Sequence, residues 1–186
     1  FGKTTALGEW AKQSRLPVAW VSLDESDNDP ARFFLYLIAS LQNICGEIGK
    51  EAFALLQSPQ PLPPQSIVSS LLTDLEAIVE PFVLVLDDFH TITNPQALNG
   101  FFFLLEHIPP SMHVIIATRV DPLIPLARLR SQREMVELRV QDLRFSLDEA
   151  NCFFSQMLTL PLSPEDVAVL AWRTEGWIAG LQLSGL

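Results

Sequence analysis

Two rhythms of apolar positions alternate along the chain. Lys3 to Ser14 reads as a helix, and Leu16-Pro17 then leads into Val18-Ala19-Trp20-Val21, a short apolar run of strand type. An acidic loop holding Asp24, Glu25 and Asp27 ends at Asp29-Pro30, an N-cap residue followed by proline at the first helical position. Phe33, Phe34, Leu37, Ile38 and Leu41 recur at helical spacing and predict a helix that runs to about Ile48. Four prolines in the seven residues from Ser58 to Pro64 exclude regular structure there, and a further helix is expected over about Ser66 to Val79. Phe82-Val83-Leu84-Val85-Leu86 has no polar alternation, the mark of a strand buried on both faces as in parallel sheets, and Asp87 and Asp88 stand at its C-terminal end.

The alternation repeats downstream. Asn94 to His107 reads as helix, His113-Val114-Ile115-Ile116-Ala117 as strand, Ile124 to Gln132 as a short helix and Met135 to Leu138 as an outer strand. Strand and helix in turn imply right-handed crossovers, a parallel sheet and helices on both of its faces. From Leu143 onward the pattern is helical only. Ser146-Leu147-Asp148-Glu149 forms a capping box, Ser163-Pro164-Glu165-Asp166 opens a second helix, and Gly176 separates that from a third. The expected organisation is α/β, with a sheet domain over residues 1–140 and the start of a small helical domain over 141–186.

Composition narrows this picture. The 186 residues are 48% apolar and 18% charged, as a globular core requires, and no apolar run approaches the roughly 20 residues that span a bilayer. No membrane partner is expected. The formal charge of −10 repels a phosphate backbone at long range and disfavours a general nucleic-acid surface or a motor working directly on DNA. Cys45 and Cys152 fall in apolar helical patterns and make neither a disulfide framework nor a ligand set, in keeping with a reducing cytoplasm. The chain opens on Phe1-Gly2-Lys3-Thr4-Thr5, without Met or signal peptide, and reads as the second half of a loop in a longer protein.

Three groups of residues carry candidate chemistry. Gly2-Lys3-Thr4 at a helix start has the form of the end of a phosphate-binding loop, in which backbone N–H groups surround an anion, Lys3 meets the β- and γ-phosphates and the Thr4 hydroxyl ligates Mg²⁺. The same triplet also opens ordinary helices, so the second group decides more. Adjacent carboxylates at the end of a buried strand suit a metal–nucleotide site, with Asp87 in the Mg²⁺ shell and Asp88 orienting or deprotonating the attacking water. Thr118-Arg119 follows the next strand, whose C-terminal end lines the same crevice in a parallel sheet, so Arg119 either reports the γ-phosphate or is an exposed loop arginine. Arg119, Arg128, Arg130, Arg133, Arg139 and Arg144 give residues 119–144 a local excess of positive charge, which serves phosphate sensing or is a solvated face with ordinary ion pairs. His90, His107 and His113 lack ligand spacing, and of these only His90 lies close enough to Asp88 to touch the site.

The chain as a whole resembles the nucleotide-binding domain of the STAND class of P-loop ATPases, in the branch of MalT-like, large LuxR-type transcriptional regulators. The likeness rests on Phe1-Gly2-Lys3-Thr4-Thr5, Trp20-Val21-Ser22-Leu23-Asp24-Glu25 with Asp27-Asn28, Leu84-Val85-Leu86-Asp87-Asp88-Phe89-His90, Thr118-Arg119, Leu126-Ala127-Arg128-Leu129-Arg130, Leu143-Arg144-Phe145 and Thr174-Glu175-Gly176-Trp177. It implies that Gly2, Lys3, Thr4 and Thr5 bind ATP or ADP with Mg²⁺, that Lys3, Thr4, Asp87 and Asp88 occupy the Walker positions, and that Arg119 follows the sensor strand. It implies also that the sheet's first strand and the opening glycines of the loop precede Phe1, and that the part beyond Leu143 is the lid. Members of this class are similar to switches. ADP holds them closed, whereas ATP with a small-molecule inducer or regulatory protein permits self-association, and DNA is met only through a separate C-terminal helix-turn-helix domain. A slowly hydrolysing ATPase switch is the expectation, with a non-hydrolysing nucleotide-binding or protein-interaction scaffold on a degenerate P-loop core as the alternative.

Overall fold

The computed structural model describes residues 2–60, 62–157, 162–177 and 180–181. The chain divides into two compact units, one made of Phe1–Trp10 with Met135–Leu186 and the other of Ala11–Glu134.

The unit of residues 11–134 is an α/β layer built on a three-stranded parallel sheet. Its strands, β1 (Val18–Ser22), β2 (Phe82–Asp87) and β3 (Met112–Ile116), stand in the order β1-β2-β3. The register pairs Ala19 with Leu84 and Leu84 with Val114, then Val21 with Leu86 and Leu86 with Ile116. Because side chains alternate across a strand, these residues share one face, and with Phe82 and Met112 they meet a single apolar cluster. All six residues of β2 are buried, as its unbroken apolar run requires. Flanking helices supply the rest of that cluster: α2 (Pro30–Gln42), α3 (Lys50–Leu56), α4 (Pro64–Glu76) and α5 (Pro95–His107). The rings of Phe33, Phe34, Phe89 and Phe101 pack edge-on or tilted, 5.0 to 6.4 Å between centres. This architecture is consistent with a P-loop NTPase-like core accompanied by a helical region.

Several ends of elements obey local chemistry. Asp29 accepts the N–H of Arg32 and Asn94 that of Gln96, and each is followed by proline at the first helical position. In the other unit, Ser146 and Glu149 complete a reciprocal capping box at α7 (Leu147–Cys152), and Ser163 caps α8 (Pro164–Arg173). The backbone N–H of Ser146, and then its hydroxyl, hold the Glu149 carboxyl below its ordinary pKa. Gly176, at φ +71°, turns the chain after α8, and its carbonyl accepts the N–H of Phe145. The expected helix beyond it lies largely outside the described residues.

The structure departs from the periodicity in three places. The helix expected to reach Ile48 stops at Gln42, and a tight turn through Gly49 starts the separate α3. Gly49 sits at φ +72°, its N–H donates to the Asp74 carboxylate at 2.7 Å, and a Cβ there would come within 2.5 Å of Ile38. That bond spans 25 residues, so no local pattern announces it. Cys45 consequently lies in an exposed turn rather than in a helix. Residues 135–138 form no strand either: Val136 and Leu138 are exposed, no ladder joins them to the sheet, and Glu137 pairs instead with Arg139. Alternating residues make a strand only where a neighbouring edge offers backbone partners.

Close approach of α5 to α2 and α4 depends on Gly100, where a Cβ would meet Phe34 at 2.6 Å and Pro64 at 2.8 Å. Gly100→Ala is expected to destabilise the protein by about 1–2 kcal/mol, overpacking outweighing the roughly 1 kcal/mol gained in helix propensity. Denaturant unfolding of the variant checks this. A neutral or stabilising result would mean that the two helices separate without cost.

Candidate functional site

The C-terminal edge of the sheet is assembled by backbone pairing. Leu23 donates its N–H to the Asp87 carbonyl at 3.0 Å, Ala117 donates to Leu86 at 2.8 Å, and Phe89 donates to Ala117 at 3.0 Å. Asp87, Asp88 and Thr118-Arg119 thereby leave adjacent strands at one level. Asp87 ends β2 on the face opposite the large apolar cluster and is 3% exposed, with Oδ1 accepting the N–H of Asp88 at 3.0 Å. Asp88 then takes the left-handed conformation, φ 54° and ψ 36°, and a 3-10 turn over Phe89–Thr91 follows. Aspartate tolerates that conformation better than most side chains.

The Asp88 carboxylate is half-exposed. Its Oδ1 lies 3.7 Å from Nδ1 of His90 and 3.8 Å from Nε of Arg119, each beyond ordinary hydrogen-bond length. His90 Nδ1 is shut off from solvent and has no hydrogen-bond partner. The Arg119 side chain is 70% exposed, and a pair of this kind contributes at most about 1 kcal/mol to stability. It leaves a carboxylate and an exposed guanidinium with spare hydrogen-bonding capacity, backed by a buried imidazole nitrogen. Such a set can orient water beside an anion.

Gly2, Lys3, Thr4 and Thr5 belong to the other unit as divided above. Gly2 has φ +84°, Lys3 is the first residue of α1 (Lys3–Gln13), and Ala6 closes the first turn by donating its N–H to Gly2 at 2.8 Å. Thr4 and Thr5 are exposed. The leading N–H groups of a helix have no partner within it, which suits an anion. Of the basic stretch, Arg128 pairs with Glu106, Arg130 with Asp121 and Arg144 with Glu175. Among the described residues, no group of three or more His, Cys, Asp and Glu side chains forms a metal site. No described helix is long and apolar enough to cross a membrane.

The acidic loop 24–29 is more ordered than its polarity suggests. Asp24 accepts the hydroxyl of Ser26 and also its N–H, the latter at 2.7 Å, and these bonds hold the Asp24 carboxyl below the usual carboxylate range. Asp27, 3% exposed, accepts the N–H of Asp24 at 2.9 Å and pairs with Arg32 at 2.8 Å, which raises the guanidinium's pKa. Asn28 reaches across 65 residues: its Oδ1 accepts the N–H of Thr93 at 2.8 Å and that of Asn94 at 2.7 Å, and Nδ2 donates to the Thr93 hydroxyl at 3.1 Å. Sequence reasoning finds the caps here but not this bridge, whose partner lies in a distant loop.

No protein-family model matches the chain. Its full length is 39% identical, over 187 residues, to the HTH-type transcriptional regulator MalT of Yersinia pestis (strain Pestoides F), and 36% identical over 186 residues to the protein of that name in Yersinia enterocolitica. The chain matches a MalT-like regulator fragment. It spans about a fifth of the length of these MalT relatives, 20% in each case. The match thus runs through every residue of this chain's sheet edge and the start of its α1.

The lowered pKa of Asp24 sets a pH dependence with a definite sign. A carboxyl whose folded pKa lies below its unfolded value stabilises the fold above the unfolded pKa, and that contribution is lost as pH falls through the folded one. Wild-type protein should therefore lose part of its stability on acidification below about pH 4, and Asp24→Ala should lose less over the same window. Denaturation midpoints of both forms from pH 6 to pH 2.5 check this; parallel curves would show that the cap contributes nothing.

Proposed function

We propose that this chain is the ATP-binding, slowly hydrolysing switch region of a bacterial-type, MalT-like transcription regulator. The observation that carries the reading is the meeting of Asp87, Asp88 and Arg119 at one end of the parallel sheet, supported by full-length similarity to a MalT segment. On this reading residues 1–140 are the nucleotide-binding domain, residues 141–186 begin its lid, and the protein works in the cytoplasm.

The residues present suit a magnesium nucleotide. Gly2 carries no Cβ at a left-handed position just before unpartnered helix N–H groups, and Asp87 offers a carboxylate at a strand end. Mg²⁺ bound with ATP would be held by Thr4 and Asp87 and would supply positive charge to the phosphate oxygens. Lys3 with the N–H groups of Gly2 to Thr5 binds phosphate, Asp88 orients a water and accepts its proton, and Arg119 counters negative charge on the terminal phosphate. ATP and ADP are thus the ligands. An inducer or regulatory protein and DNA are met through regions outside this chain, the DNA contact in keeping with the HTH in the relatives' name, and self-association accompanies the ATP state.

The test uses full-length protein with ATP and ADP, with and without Mg²⁺. Lys3→Ala should weaken ATP binding at least about tenfold, equivalent to about 1.4 kcal/mol. Asp88→Asn should keep binding within about twofold and lower turnover by roughly 10² or more. Turnover unchanged in Asp88→Asn would overturn the hydrolytic role. Wild-type protein that binds neither nucleotide would overturn the reading in favour of an interaction scaffold.

A further inference from the structure

The segment that carries Asp88 is fixed at two ends by different means. At its entry, Asp88 donates to Asp87 Oδ1 at 3.0 Å and Phe89 donates to the Ala117 carbonyl at 3.0 Å, while the Phe89 ring, 1% exposed, packs against Phe33 and Phe101. Between the ends, the N–H and hydroxyl of Thr91 both donate to the Asp88 carbonyl, at 3.1 and 3.0 Å. At its exit, the N–H groups of Thr93 and Asn94 point away from any ladder and are received by one atom, Asn28 Oδ1. Only an oxygen accepts two N–H donors, so the orientation of the Asn28 amide follows from its surroundings.

Asn28 is itself immobilised. It ends the 3-10 turn over Glu25–Asn28 that Asp24 and Asp27 cap reciprocally, and Asp29 behind it caps α2. The loop after β1 and the loop after β2 therefore form one hydrogen-bonded body beside the Asp88 carboxylate. Neither His90 nor Arg119 comes within ordinary hydrogen-bond distance of that carboxylate, so what places it at the sheet edge is the backbone that carries its Cβ. We propose that Asn28 is a positioning residue for Asp88, holding the exit of the 88–94 loop so that the carboxylate faces the attacking water. The proposal rests on the hydrolytic reading given above.

Asn28→Ala removes the acceptor and frees both N–H groups. Asn28→Asp keeps an oxygen for them, and its second oxygen can accept from the Thr93 hydroxyl, which rotates to donate. In full-length protein the Ala variant should bind Mg-ATP within about twofold of wild type and lose roughly tenfold to a hundredfold in kcat, as expected from displacing a catalytic group by about 1 Å. The Asp variant should recover most of that loss. Without nucleotide, the amides of Thr93 and Asn94 should exchange hydrogen at least about tenfold faster in the Ala variant and near the wild-type rate in the Asp variant.

Turnover in wild type with unchanged kcat in Asn28→Ala overturns this proposal alone. So does a kcat loss that Asn28→Asp leaves unrestored while the exchange rates return to wild type. Wild-type protein that binds ATP without turnover overturns the hydrolytic reading, and the positioning role falls with it.

Discussion

Burial of β2 on both faces is the constraint from which the sheet edge follows. A strand between two parallel neighbours, with helices packed on the sheet, has no room for a polar side chain until its last residue, and burying each large apolar side chain contributes about 1.5–3 kcal/mol. Asp87 is that last residue. A carboxylate in a dry place is costly unless it is hydrogen-bonded, and here Oδ1 takes the N–H of the next residue. The same pairing that buries β2 aligns the ends of β1 and β3 with it, so Leu23 and Ala117 become its neighbours and Arg119 lies two residues beyond Ala117.

Turning out of β2 imposes a second cost. Asp88 at φ 54° occupies a region that disfavours most L-residues by roughly 1–2 kcal/mol. The bonds from Phe89 to Ala117 and from Thr91 to Asp88, together with a buried aromatic ring at Phe89, offset it. Strain held this firmly by its surroundings fixes where one Cβ leaves the chain, and that Cβ carries a carboxylate.

What the sequence made legible was local or periodic. The unbroken run Phe82 to Leu86 identified a buried strand, and the Asp-Pro and Ser-Pro pairs placed two helix starts. The order Asp87-Asp88 and then Arg119 at successive strand ends followed from parallel topology alone. What stayed hidden was chosen by partners far along the chain: the Gly49 turn depends on Asp74, the Asn28 bridge on Thr93 and Asn94, and the fate of residues 135–138 on whether any sheet edge receives them. Apolar alternation in Met135 to Leu138 describes a side-chain pattern, whereas a strand is made by backbone bonds to another segment.

The carboxylates near this edge differ in how much of their capacity is already spent. Asp24, Asp27 and Asp29 are occupied by backbone N–H groups, a hydroxyl and Arg32, all at hydrogen-bond distance. An acidic loop in which every aspartate has such a partner has little left for a cation, and its charge is a structural device for stopping one element and starting the next. Asp88 is the opposite case. Among the described residues its side chain has the long approaches of His90 and Arg119 alone, yet its backbone is held in the left-handed conformation by the bonds around it. A backbone held in place beneath an unsatisfied carboxylate leaves that group ready to accept a hydrogen bond from outside the chain, and this contrast is the physical reason the proposed chemistry is given to Asp88 rather than to the more conspicuous acidic run.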